Sequence, residues 1–175
     1  MEAANEMLQK SCLWRTVNLI FVTVGTSHLA FDRLLRAADI LARDWDERFV
    51  IQTGHSIYEP KYADWFRFKD NSGIVDLIRE AEIVIAHGGF GIIGKCIREK
   101  KKIIIVPRQK RYKEAVNPQN ELAEYLSQEE SIISLRNANE LGKAISNLED
   151  KQVCYHFKTD IPELIKNFVE TKLFS

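Results

Sequence analysis

Residues 83–94, Ile-Val-Ile-Ala-His-Gly-Gly-Phe-Gly-Ile-Ile-Gly, with Ile-Ile-Ile-Val-Pro-Arg following at 103–108, constrain this chain more than any other stretch. Consecutive apolar residues, then glycines, then apolar residues at helical spacing read as a buried strand, a tight turn and a helix start. The run from Ile103 reads as a second buried strand. A strand that is apolar at successive positions has both faces covered, as in a parallel sheet with helices on either side. The layout also favours an anion at the turn. Backbone N–H groups at a helix N-terminus lack partners inside the helix and carry about half a positive charge. Glycines let a phosphate approach those groups with no Cβ in the way. Gly88, Gly89 and Gly91 are the expected cradle.

The same alternation runs along the chain. Leu19–Val24 reads as a first strand ending at Gly25, and Phe31, Leu34, Leu35, Ala38 and Leu41 follow at helical spacing with Asp32 in the first turn. Phe49–Thr53 is a second strand ending at Gly54, and residues 55–62 form a loop around Pro60. Trp65–Phe68 is a short third strand, followed by a helix carrying Ile74, Leu77, Ile78 and Ala81. The helix after the glycine turn runs to about Lys100, and the next strand covers 103–107. Asn117 is the expected N-cap, and Pro118 the first residue, of a helix with Leu122, Ala123 and Leu126 on its apolar face. A short strand over Ile132–Leu135 and a helix from Asn139 to Leu148 come next, then a final amphipathic helix from Pro162. The spacing predicts an α/β, doubly wound, mostly parallel Rossmann-like sheet over residues 18–150. Residues 1–17 are an N-terminal extension, and 151–175 a tail whose helix packs on the domain or docks a partner.

Ligands of such sheets bind beyond the carboxyl ends of the strands. Those ends are Gly25-Thr26, Gln52-Thr53-Gly54, Phe68, His87-Gly88-Gly89 and Pro107-Arg108, so the polar, glycine-rich positions share one rim. Lys+Arg and Asp+Glu both number 25, which argues against a general nucleic-acid binder. Cys12, Cys96 and Cys154 fit no disulfide or metal pattern and suit a reducing compartment; Cys96 reads as core. No two histidines have metal-ligand spacing, and no Ser–His–Asp order is present. No apolar run reaches the ~20 residues of a membrane span.

Several constellations leave alternatives open. Gly89-x-Gly91-x-x-Gly94 matches the dinucleotide fingerprint, but no acid ends the next strand; Arg108 there suits a 2′-phosphate, which keeps an NADP-dependent oxidoreductase as an alternative. His87 either caps backbone groups or donates to a phosphate or sugar oxygen, and His28 and His55 read as solvated loop residues. The basic run Arg108–Lys113 holds a diphosphate, faces an anionic membrane or is a solvated loop.

Five motifs in order carry a family resemblance: Val22-Thr-Val-Gly-Thr26 with Phe31-Asp-Arg-Leu34; Ile51-Gln-Thr-Gly-His-Ser56 with Tyr58-Glu-Pro60; Val84-Ile-Ala-His-Gly-Gly89; Ile105-Val-Pro-Arg108; and Gln119-Asn-Glu-Leu-Ala123. Together they resemble the small subunit of two-part bacterial exopolysaccharide glycosyltransferases. The same region is similar to the small subunit of the two-part enzyme that adds the second N-acetylglucosamine in N-glycan assembly, and to the C-terminal half of family-28 glycosyltransferases. The resemblance implies half of a GT-B glycosyltransferase, one that binds a nucleotide-sugar, usually a UDP-sugar. It implies an inverting, metal-independent transfer with no cofactor beyond that substrate. The expected partner is a membrane-associated acceptor-binding subunit that recruits the chain to the cytoplasmic face. The expected acceptor is a polyprenyl-diphosphate-linked glycan.

By the same resemblance Gly25 and Thr26 lie at the diphosphate or the partner interface, and Gln52 and Gly54 line the rim. Phe68 falls near the base-contacting loop, and His87, Gly88, Gly89 and Gly91 cradle the diphosphate. Arg108, Gln119 and Asn120 complete the donor site, with Gln119 on sugar hydroxyls. The catalytic base is expected on the partner. The chain departs from the family pattern at Ile92 and Lys95, where a small or hydroxyl residue and a ribose-binding acid usually stand. It departs again at Pro118, in place of a His, and at Glu114-Ala115, in place of Glu-His. These departures keep a non-catalytic, partner-stabilising module as the alternative.

Overall fold

The computed structural model describes residues 18–115, 120–149 and 151–155. Six strands form one sheet: β1 (Leu19–Thr23), β2 (Arg48–Gln52), β3 (Asp64–Phe66), β4 (Ile83–Ala86), β5 (Lys102–Ile105) and β6 (Ile132–Ser134). The helices are α1 (Asp32–Asp44), α2 (Asn71–Glu80), α3 (Phe90–Arg98), α4 (Asn120–Leu126) and α5 (Leu141–Glu149). The strand order is β3-β2-β1-β4-β5-β6 and every pairing is parallel. This is the doubly wound order, whose direction reverses between β1 and β4; a crevice opens at that point outside the strand ends.

Strand alternation divides the core. Ile20, Val22 and Ile51 pack with Leu34, Leu35 and Ala38 of α1 and with Leu141, Ala144 and Ile145 of α5. Leu19, Phe21 and Val84 pack on the other face with Ile74 and Ile78 of α2, Ile93 and Cys96 of α3, and Leu122 and Leu126 of α4. β1 is buried at all five positions, as its four consecutive apolar residues before Thr23 require of a strand covered on both faces.

Several boundaries differ from the sequence reading, three of them with a clear physical cause. β3 ends at Phe66 rather than Phe68, because it is a three-residue edge strand with a neighbour on one side only. β5 begins at Lys102, whose ammonium is buried against Glu82 Oε1 (2.9 Å) and the Glu149 carbonyl (2.6 Å), so its charge does not exclude it from the sheet. The helix expected from Asn139 opens as a 3-10 turn over Ala138–Glu140, with the Asn137 side chain accepting from the Asn139 N–H, before α5 proper. The expected Asn117 cap with Pro118, the N-terminal extension and the helix from Pro162 lie outside the described residues.

Candidate functional site

At the reversal point a cleft of about 430 Å³ opens at the ends of β1, β2 and β4. Thr23, Gly25, Thr26 and Ser27 line it from the β1 side, Gln52 from β2, and His87, Gly89, Gly91, Ile92 and Lys95 from the β4–α3 unit. Lys69, Asn71 and Ile74 close it from the start of α2. No carboxylate is among these lining residues. The Thr23 hydroxyl ties the floor together, donating to Gln52 Oε1 at 2.6 Å and accepting from the Gly25 N–H at 3.1 Å.

The N-terminus of α3 is open to this cleft. Gly89 is its N-cap in extended conformation, and no side chain caps it. The bond from the Ile93 N–H to the Gly89 carbonyl (3.2 Å) closes the first turn, so the Gly91 and Ile92 amides before it have no acceptor inside the helix. A Cβ built on Gly91 meets nothing within 4 Å, whereas one built on Gly89 lies 2.5 Å from His87 Nε2. A Cβ on Gly25 lies 2.4 Å from His87 Cε1, at a φ of +71° that already favours glycine. The two glycines flanking His87 therefore make room for its ring, and Gly91 is the one that leaves free space above the turn.

His87 is held neutral at physiological pH. Burial lowers its pKa, the nearby Arg108 charge lowers it further, and the Thr23 backbone opposes weakly; the result is about 4. Among the described residues its buried Nδ1 has no hydrogen-bond partner, and neither has Arg108 Nε. A neutral imidazole at the cleft can donate one hydrogen bond to a ligand oxygen but brings no full charge.

Arg108, expected at the donor site, is placed away from the cleft. Its guanidinium turns inward and donates to the carbonyls of Leu29 (2.8 Å), Ala30 (3.3 Å), Glu114 (3.1 Å) and Val24 (2.9 Å), over the Phe31 ring. It is buried and lies outside the cleft lining. Its role is to clamp loop 24–30, which carries Gly25, Thr26 and Ser27, against the chain after β5. Glu114 reinforces the clamp: it is buried, takes both Arg33 Nε (3.1 Å) and Arg33 Nη2 (3.0 Å), and accepts from the Gln109 N–H (3.0 Å).

The other expected residues separate. Gly25, Thr26, Gln52, His87, Gly89 and Gly91 come together on the cleft. Gly54 and Gly88 lie behind it, both buried with positive φ (+56° and +89°), where they turn the backbone. Phe68 is exposed beside the His55 ring, 4.8 Å between centroids, and does not line the cleft. Gln119 and the Asn120 side chain lie outside the described residues. Thr23, Ser27, Lys69, Asn71 and Ile74 were not anticipated. Asp70-Asn-Ser-Gly73 was a readable signal for the last group, since it places a helix start, with its capping carboxylate, beside the rim.

The glycosyltransferase family 28 C-terminal domain model matches residues 19–167. Among solved structures, the kitacinnamycin glycotransferase is 16% identical with a TM-score of 0.62, covering 88% of this chain and 38% of its own. The calicheamicin glycosyltransferase CalG4 is 16% identical with a TM-score of 0.60, covering 92% and 39%. The glycosyltransferase VinC, solved in complex with dTDP, is 14% identical with a TM-score of 0.56, covering 91% and 43%. At such identities the likeness is one of fold. This chain spans about two-fifths of the length of each of those structures. No curated protein matches it in sequence. The family model covers most of the chain, and its fold is that of GT-B glycosyltransferase C-terminal domains. The chain belongs to the glycosyltransferase family 28 C-terminal domain family.

Proposed function

We propose that this chain is the nucleotide-sugar-binding half, for a UDP-sugar, of a two-chain inverting glycosyltransferase that glycosylates a polyprenyl-diphosphate-linked acceptor. The observation that carries the reading is the α3 N-terminus, which no described side chain caps and which has free space over Gly91, opening at the sheet's reversal point on a cleft whose described lining has no carboxylate. An anion fits there and a cation does not. That VinC binds dTDP supports a nucleoside diphosphate as the ligand class. The two-chain organisation and the lipid-linked acceptor rest on the five resembling motifs.

In the proposed reaction the acceptor oxygen forms a bond to the anomeric carbon as the bond from that carbon to the diphosphate oxygen breaks. The acceptor proton passes to a base, and the leaving diphosphate keeps the electron pair. None of the described residues that line the cleft is a carboxylate, and the proposal assigns the base to the acceptor-binding partner. This chain contributes the turn amides, which meet the charge that develops on the diphosphate.

Calorimetry of the full chain with UDP, UDP-N-acetylglucosamine and UDP-glucose tests the reading. Saturable one-to-one binding, competed by pyrophosphate, is expected. Absence of nucleotide binding combined with NADPH fluorescence enhancement would instead establish the oxidoreductase alternative. Lys95, standing where the family pattern has an acid, favours a second reading in which the domain stabilises its partner without turnover. Undiminished transfer by the complex carrying Gly91→Asp would favour that second reading.

A further inference from the structure

The centre of the cleft has no net positive side chain to offer. His87 is neutral, and the Arg108 guanidinium is engaged by four backbone carbonyls. Two cations line the wall instead, Lys69 and Lys95. The Lys69 stem crosses Gly73, where an added Cβ would lie 2.4 Å from its Cδ, and its ammonium sits over the Phe66 ring at 5.2 Å. Lys95 rises from the second turn of α3, and its Nζ donates to Oδ1 of Asn71, the first residue of α2, at 2.5 Å. Among the described residues neither lysine pairs with a carboxylate, whereas Arg33, Arg79, Lys102 and Arg136 each do.

A neutral amide positions an ammonium without cancelling its charge, and two of the three N–H donors of Lys95 are left over. Long side chains on a helix lean toward its N-terminus, so Lys95 leans back along α3 toward the glycine turn. We infer that Lys95, held in place by Asn71, supplies the counter-charge to the diphosphate that leaves from this cleft. The inference deepens the donor-binding reading and rests on it. As the bond to the anomeric carbon breaks, negative charge gathers on the diphosphate oxygen. The Gly91 and Ile92 amides and the Lys95 ammonium then meet it from neighbouring directions.

Calorimetry with UDP on the full chain, at low and high salt, tests this alongside the melting temperature of each unliganded variant. Lys95→Gln should weaken UDP binding about tenfold or more and flatten the fall of affinity with salt. Lys95→Arg should restore most of the affinity and its salt dependence. A Lys95→Gln variant with a lowered melting temperature but unaltered UDP affinity and salt slope would make Lys95 a mere tie between helices and overturn the inference. Lys95→Glu binding UDP as well as or better than wild type would also overturn it, by showing that the position serves an acid-type contact to ribose. Failure of the wild type to bind either UDP or dTDP overturns the donor-binding reading itself. Wild-type binding that Lys95→Gln leaves unchanged overturns the counter-charge alone.

Discussion

The N-termini of α2 and α3 stand on one cleft and are finished in opposite ways. Asp70 caps α2, its Oδ1 accepting from the Gly73 N–H at 3.0 Å while its other oxygen takes the Ser72 hydroxyl at 2.6 Å. Those contacts, the Ser72 hydroxyl first, hold the Asp70 carboxyl below the usual carboxylate range. α3 begins on Gly89 with no side-chain cap and no acid in its first turn. One helix carries its own anion, and the other has no cap from any described side chain, which leaves its first amides available to the proposed ligand. A helix that omits its cap forgoes stabilisation, and the omission falls on the helix whose Gly91 leaves open space.

The strongest way to break this comparison is to give α3 the anion it lacks. Gly91→Asp adds a Cβ that meets no neighbour and a carboxylate in the first turn of a helix. The melting temperature should rise or hold, while UDP affinity falls by about a hundredfold or more as the carboxylate takes the ligand's place. Opposite signs in the two measurements separate a ligand site from a folding defect. Gly89→Asp is the poorer probe, because its Cβ collides with the His87 ring and confounds the two effects. If Gly91→Asp binds UDP normally, the open N-terminus is not the phosphate site.

The next effect tests what sits between the two glycines. With its pKa lowered from 6.5 to about 4, His87 stays neutral in the fold across a range where the unfolded chain takes up a proton. Folding stability therefore rises with pH through that range, and the His87 share is fully present above about 6.5 and lost as pH falls toward 4. The share is on the order of 3 kcal/mol. Urea titrations at pH 7 and pH 4.5 should show His87→Asn losing less stability between the two than wild type does. A parallel loss in both proteins would place the acid sensitivity elsewhere, for instance at buried Asp39. Burial would raise that carboxylate, but the Lys61 amide, the Tyr58 hydroxyl and the Tyr62 and Ala63 amides together hold it below its usual range.

The mirror experiment is smaller. Asp70→Ala removes the α2 cap and should lower the melting temperature by a few degrees. UDP affinity should hold within about threefold, since the carboxylate faces its own helix and not the ligand. Scanning calorimetry beside the same UDP titration reads both. A large loss of affinity would mean that α2 also takes part in holding the anion.

The sheet was readable because burial on both faces writes itself into sequence: Leu19–Val22 of β1, all of β4 and Ile103–Ile105 of β5 are consecutive apolar residues. The glycine turn was readable for the same local reason. What each glycine does was not. Gly54 and Gly88 turn the backbone, Gly25 and Gly89 make room for one imidazole, and Gly91 leaves a void, yet all five are the same letter. The clamp made by Arg108 was not legible because its acceptors at Val24 and Leu29 are 84 and 79 residues away, a separation that no motif spans. Lys69 and Asn71 were missed because β3 ends two residues earlier than its aromatic run suggests, which slides the rim onto the α2 start.

The last test concerns the far end of α3. Lys100 follows the helix with φ of +52°, where left-handed backbone favours glycine. The Lys100 N–H reaches the Ile97 carbonyl and the Lys101 N–H the Cys96 carbonyl, the paired bonds of a Schellman motif built around a lysine. Lys100→Gly relieves that backbone at no loss to either bond and should stabilise the fold by roughly 0.5–1 kcal/mol. UDP affinity should not move, because the change lies at the opposite end of the helix from the open amides. Denaturant titration reads the first effect and calorimetry the second. Were both to rise together, the order of the whole helix, and not the omitted cap alone, would control how α3 presents its amides, and the contrast with α2 would reduce to one of rigidity.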